Sequence, residues 1–202
     1  MRTLQTFLAL SCALLASPAL AYEETGFDLS VHYGADKYDS LGLKSGIGGL
    51  KGSALLEGTS THVGATAIYR GGLLELGVIG EIGRPGQDGS TTLLGALAGV
   101  GFGTGLRLEL LGELGAHRYG DLLKDARVLT RSKSEVWLVS AGLRPGLSMR
   151  FGPDGMLIVG VWAFARWDVT SENVQVTLAS GNATYKLGGS QFGGSLRLGV
   201  AL

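Results

Sequence analysis

Apolar and polar residues alternate one by one through most of the chain beyond residue 26, in runs bounded by Gly, Pro, Asp and Asn. A period of two puts successive side chains on opposite faces of an extended backbone, so these runs read as β-strands covered on one face only. The alternation predicts eight strands: Phe27–Gly34, Thr61–Arg70, Leu73–Gly83, Thr91–Phe102, Leu106–Tyr119, Glu135–Phe151, Met156–Asp168 and Ser190–Leu202. Their connections are also ordered. Tight turns at Gly71-Gly72, Gly103–Gly105 and Gly152–Gly155 alternate strictly with longer links at 35–60, 84–90, 120–134 and 169–189. In an up-and-down meander every tight turn and both ends of the chain then fall at one end, and every long link at the other.

The charges decide which face is which. On the fifth predicted strand Arg107, Glu109, Glu113 and His117 share one face, while Leu106, Leu108, Leu110, Leu114 and Ala116 share the other. Over all eight strands the polar face carries Arg70, Arg107, Arg144, Arg150, Arg166 and Arg197 with Asp28, Glu75, Glu81, Glu109, Glu113 and Asp168, and the opposite face carries only Arg118, at a loop end. A lipid-facing Arg costs about 2–4 kcal/mol at the bilayer midplane and little at the interface. The pattern therefore predicts a closed transmembrane barrel with its charges paired inside. A soluble sandwich has no reason to sort its loops by length; a soluble β-barrel is the alternative. The charged face also carries most strand glycines, among them Gly64, Gly99, Gly101, Gly146 and Gly193. An eight-stranded barrel is only just wide enough for its side chains, and glycine makes room for Arg, Trp162 and Phe164. Outward aromatics gather near strand ends: Phe27, Tyr69, Phe102 and Phe151 at the turn end, Tyr33, Trp137, Trp167 and Phe192 at the loop end. Two such girdles are expected at the headgroup levels of a spanning barrel.

Composition agrees. Of 202 residues, 45% are hydrophobic, 17% charged and 35 are Gly, which excludes a disordered chain and disfavours a helical one. Seventeen basic residues balance 17 acidic ones, so no nucleic-acid partner is expected. Residues 1–21 read as a cleaved signal peptide: Arg2, an apolar run Phe7–Ala16, then Ala19-Leu20-Ala21 as the cleavage site. Residues 22–202 form the barrel domain. The single cysteine, Cys12, lies in the signal segment, so the exported chain has no disulfide. Beyond it no apolar run reaches the 18 residues of a spanning helix.

Some positions fit the plan less well. Pro145 interrupts the sixth strand and predicts a bulge or kink with Gly146. Leu41, Leu43, Ile47, Leu50, Leu55 and Leu56 are more apolar than an exposed loop needs; the segment is read as folding over the mouth, extending the second strand, or adding a hairpin to make ten strands. Val174, Val176 and Leu178, a turn at Ser180-Gly181-Asn182, and Thr184–Leu187 predict a hairpin prolonging the last two strands, with an edge open to a partner strand.

In architecture these residues resemble the small outer-membrane barrels of the OmpA transmembrane-domain and OmpX type. The resemblance extends over residues 22–202 but rests on no single motif, and the last strand ends in Leu202 where many such proteins end in an aromatic. It implies a Gram-negative outer membrane, insertion by the barrel-assembly machinery, and contact with membrane lipid and lipopolysaccharide. A monomer with a structural, adhesive or surface-recognition role is expected, or alternatively a small porin-like pore.

Candidate chemistry is sparse. His32, His62 and His117 all point inward, and with Asp28 below them they could form a metal or proton-sensitive site; the plainer reading makes them partners in the interior network. A PagL-type lipid A deacylase needs its His, Ser and acid facing the bilayer, and these histidines and acids face inward. An omptin-like protease would need acids at a loop groove. Asp36, Asp39, Asp121 and Asp125 lie in predicted loops without a specific spacing. The stretch Gly48–Ser53 lacks the Gly-Lys-Ser/Thr ending of a phosphate loop. Arg118, Lys124, Arg127, Arg131 and Lys133 could meet lipopolysaccharide phosphates, or be a solvated loop partly balanced by Asp121 and Asp125. No catalytic, cofactor-binding or metal residue is assigned, and the chain is read as a non-enzyme.

Overall fold

A computed structural model describes residues 25–46, 57–85, 89–121 and 128–202. The expected signal peptide, the residues Ile47, Leu50, Leu55 and Leu56, the stretch Gly48–Ser53, and Lys124, Asp125 and Arg127 lie outside them. The described residues form ten strands: β1 Thr25–Gly46, β2 Glu57–Gly71, β3 Leu74–Pro85, β4 Ser90–Phe102, β5 Leu106–Gly120, β6 Val128–Arg131, β7 Val136–Phe151, β8 Leu157–Asp168, β9 Glu172–Leu178 and β10 Gly181–Ala201. Eight close the wall, in the order β1-β2-β3-β4-β5-β7-β8-β10, with β10 pairing back onto β1. The closing ladder starts at Asp28↔Ala201. It is prolonged at the end of the chain, where the Phe27 amide donates to the Leu202 carbonyl at 3.1 Å and the Leu202 amide to Phe27 at 2.8 Å.

Turn chemistry explains the short end. The β2–β3, β4–β5 and β7–β8 links reverse the chain through residues at positive φ, and these are mostly glycines: Gly72, Gly103, Gly105, Gly152 and Gly155, joined by Asp154. The shortest wall strands, β3 and β8, have 12 residues each, and a tilted strand needs about 9–11 to cross a bilayer. The outer wall is apolar along its middle, with Leu74, Leu76, Val78 and Ile82 exposed on β3 and Phe192, Leu196, Leu198 and Val200 on β10. All eight aromatics expected in the two girdles are exposed, from Tyr69 at 42% to Tyr33 at 61%. The twelve charges expected inside do face the lumen, and the outward Arg118 pairs with Glu135.

Four expectations need correction. First, the link 35–60 is mostly strand. Alternation continues past Gly34, with Asp36 and Tyr38 inward between the outward Ala35 and Lys37, because β10 supplies a partner up to Gly46↔Ala183. Second, β6 lies within the expected loop 120–134; with β9, the first arm of the expected hairpin, the described residues form ten strands while the wall stays eight. Third, the hairpin turn is Ala179-Ser180, one residue earlier than expected. Its edge is not open either, since β6 pairs with β9 at Thr130↔Thr177 and Arg131↔Val176. Fourth, Pro145 makes no bulge. Leu143↔Ala165 and Gly146↔Trp162 keep one register, and the ladder to β8 merely lapses at Arg144 and Pro145, where proline has no N–H to give.

Candidate functional site

The lumen is filled in three levels. Nearest the turns, Asp28, Glu75 and Glu109 meet Arg70, Arg107, Arg150 and Arg197. Arg70 lies 2.5 Å from Asp28 and 2.9 Å from Glu109, Arg107 2.6 Å from Glu75, Arg150 3.0 Å from Asp28, and Arg197 3.1 Å from Glu109. The Ser148 hydroxyl and the Trp162 indole N–H also donate to Glu109, at 2.7 and 2.8 Å. Such a network is tolerable away from water because every charge in it meets an opposite one, although Arg70 Nε and Glu75 Oε2 make no hydrogen bond.

The second level centres on Glu81 and Glu113. Arg144 donates to both, at 2.9 and 2.6 Å, and so does Arg166, at 2.7 Å to Glu81 and 2.5 Å to Glu113. Trp162 sits between the levels with Arg197 4.5 Å and Arg144 5.4 Å from its ring, so two guanidiniums share one aromatic. Its other side meets an apolar patch of Ile68, Ile79, Leu93, Leu97 and Leu111. Glycine makes this filling possible. A Cβ on Gly146 would lie 2.0 Å from Trp162 Cδ1, and one on Gly101 2.3 Å from a Glu75 oxygen.

The third level, at the loop end, is apolar. Tyr38, Tyr119, Val136 and Leu138 from the wall pack with Val174, Val176, Leu178, Ala183, Tyr185 and Leu187 from the β9–β10 hairpin. Upper β10 pairs with β1 on one side and β9 on the other, with Gly188 at φ 121 where it leaves β8. Inward parity is unbroken along β10, so residues above the lumen stay aimed at its axis. The outward face of this extension is polar: Thr130, Ser132, Gln175, Thr177, Asn182 and Thr184 line a groove of about 400 Å³.

The three histidines do face inward, but not as one site. His117 belongs to Asp168, at 3.3 Å, beside Tyr119, whose hydroxyl donates to the same carboxylate at 2.6 Å. Asp28 lies in the level nearest the turns and is taken by Arg70, Arg150 and Arg197. His32 donates instead to Glu81 at 3.0 Å, and His62 lies 3.6 Å from Asp36. Asp36, expected in a loop, is buried on β1 and accepts from the Gln191 amide. Glu81 was legible as an inward acid, but its closeness to two imidazoles depends on the stagger between β1, β2 and β3. Asp39 is in β1, and Asp121 follows β5, accepting from Ser90.

The basic loop residues within the described chain are engaged. Arg118 pairs with Glu135, and Lys133 with Glu172 at 3.2 Å. The hydrogen bond from Lys133 holds the Glu172 carboxyl below its ordinary range.

No protein-family model and no curated protein matches the chain. Solved structures do. Neisserial surface protein A is 16% identical, with a TM-score of 0.56, covering 86% of this chain and 96% of its own. The N-terminal β-barrel domain of Pseudomonas aeruginosa OprF is 15% identical (TM-score 0.46; 86% and 99% covered), and the outer-membrane protein AlkL is 12% identical (0.47; 92% and 94%). At such identities the likeness is one of fold, and the fold is that of the small outer-membrane barrels to which the strand pattern bears its resemblance.

Proposed function

We propose that the chain is a Gram-negative outer-membrane barrel whose lumen is plugged and whose work is done at the cell surface, in a structural, adhesive or recognition role without catalysis. One observation carries this reading: two ion-paired levels and an apolar one fill the bore, and the tightest of the inward side chains, Arg70, Arg144 and Arg197, are essentially shut off from water. A wet pore needs hydrated polar walls, whereas here guanidiniums and carboxylates satisfy one another. The loop-end extension, with its polar outer groove, is the part left to meet a ligand. Loops held on a rigid scaffold are where binding usually resides. Insertion by the barrel-assembly machinery, contact with lipopolysaccharide and a monomeric state belong to the same reading.

Membrane fractionation with unheated and boiled gel samples tests the location: an intact barrel migrates apart from its unfolded form in the outer-membrane fraction. Planar-bilayer recording tests the plug. Stable single-channel steps from the purified protein would replace this reading with a passive pore, and with balanced interior charges such a pore would be weakly selective. Release of fatty acid from lipid A would instead establish an enzyme.

A further inference from the structure

We propose that the second level of the lumen holds one divalent transition-metal ion of the zinc type, bound by His32, His62 and Glu81. One donor atom from each of these side chains lies within 4.8 Å of the others, and all three residues are buried. A tetrahedral zinc site spaces its donors about 3.4 Å apart, so the set has to tighten by roughly 1 Å around the ion. Two imidazoles and a carboxylate are borderline N/O donors, which suit zinc better than the oxygen-seeking magnesium or calcium.

Three further features point to an ion. Both ring nitrogens of His62, the Nδ1 of His32 and one oxygen of Asp36 are buried without a hydrogen-bond partner. Buried polar atoms are rarely left so, and these four acceptors or ring nitrogens fall together, with Arg144 Nε and Nη1 also without a hydrogen-bond partner at this level among the described residues. A small void of about 10 Å³ is lined by His62, Glu81, Tyr38, Thr91, His117 and Arg166. That is room for one water, the usual fourth ligand of a three-residue site. Charge agrees as well. Among the described residues, Asp36, Glu81, Glu113 and Asp168 in this half of the lumen outnumber Arg144 and Arg166 by two when the acids are ionised and His32, His62 and His117 are neutral. One divalent cation cancels the difference. Arg144 and Arg166 do contact Glu81, but they share themselves with Glu113; Glu81 Oε1 already accepts from His32 and Arg144, whereas Oε2 accepts from Arg166 alone and has a second lone pair to offer.

The ion would join β1, β2 and β3 at mid-lumen and, because the bore is closed, enter during folding. The test is to refold the full barrel with and without zinc, pass it through metal-free buffer, and measure bound metal by mass spectrometry alongside the urea midpoint. The wild type is expected to keep about one zinc per chain and to unfold at higher urea with it. His62→Gln and His32→Gln should still give the heat-modifiable folded band, yet bind zinc at least about tenfold more weakly, the low end of what even an indirect partner contributes. Glu135→Gln, in the exposed pair with Arg118 and away from the set, should bind as the wild type does. Refolded cobalt protein should show tetrahedral visible absorption. No retained metal in the wild type, equal retention in His62→Gln, or equal loss in Glu135→Gln would each overturn the assignment.

Discussion

Glu109 accepts from Arg70, Arg197, Ser148 and Trp162 at once, which makes it the keystone of the level nearest the turns. Glu109→Gln keeps the shape but leaves two guanidiniums short of an anion. Breaking a buried pair this way costs about 3–5 kcal/mol. Urea titration of the barrel refolded in vesicles should show that loss, against about 1 kcal/mol or less for Glu135→Gln in the exposed pair with Arg118. Glycines separate by face in the same assay. A Cβ on the inward Gly99 would stand 2.1 Å from the Leu110 carbonyl oxygen and 2.8 Å from the Leu111 Cα, so backbone has to move. On the outward Gly80 the nearest atom is a Leu94 methyl at 3.7 Å. Gly99→Ala should cost about 1–3 kcal/mol, and Gly80→Ala should stay within about 0.5 kcal/mol. At this scale the facing of each charge could be read from alternation alone. The partner of each charge could not, since Arg70 meets Glu109 from 39 positions away.

Elements show where alternation misleads. β3, β4, β5 and β8 lie within two residues of their predicted bounds because apolar-out, polar-in spacing and Gly-rich turns agree along them. β1 outruns its prediction by a dozen residues and β6 was not foreseen at all, for one reason: both depend on a distant strand edge, β10 in one case and β9 in the other. The β9–β10 hairpin lies half outside the wall, supported by the apolar cluster beneath it. Val176→Asp would bury an unpaired carboxylate in that cluster, where Val176 is 2% exposed. The wall ladders do not pass through Val176, so the unheated gel band should persist while the loop end becomes open to protease. Loss of the folded band would mean that the hairpin and the wall form one cooperative unit.

For the whole molecule, the proposed orientation of the wall toward lipid has an optical signature. Trp137 and Trp167 are outward at 50% and 43% exposure, while Trp162 is inside at 2%. In vesicles of brominated lipid, variants keeping only Trp137 or only Trp167 should be quenched, and one keeping only Trp162 should not. Equal quenching of all three would contradict the closed barrel.

Side-chain periodicity by itself determined the strand class, the inside and outside of the wall, the girdles and the end at which the turns lie, because each depends only on the fixed geometry of an extended backbone and on the cost of charge in hydrocarbon. Tertiary structure alone decided that β10 serves three neighbours, that β6 seals the β9 edge, and that His32, His62 and Glu81 converge while His117 pairs elsewhere. Those outcomes follow from strand stagger around a closed cylinder, a long-range quantity that no local stretch of residues encodes.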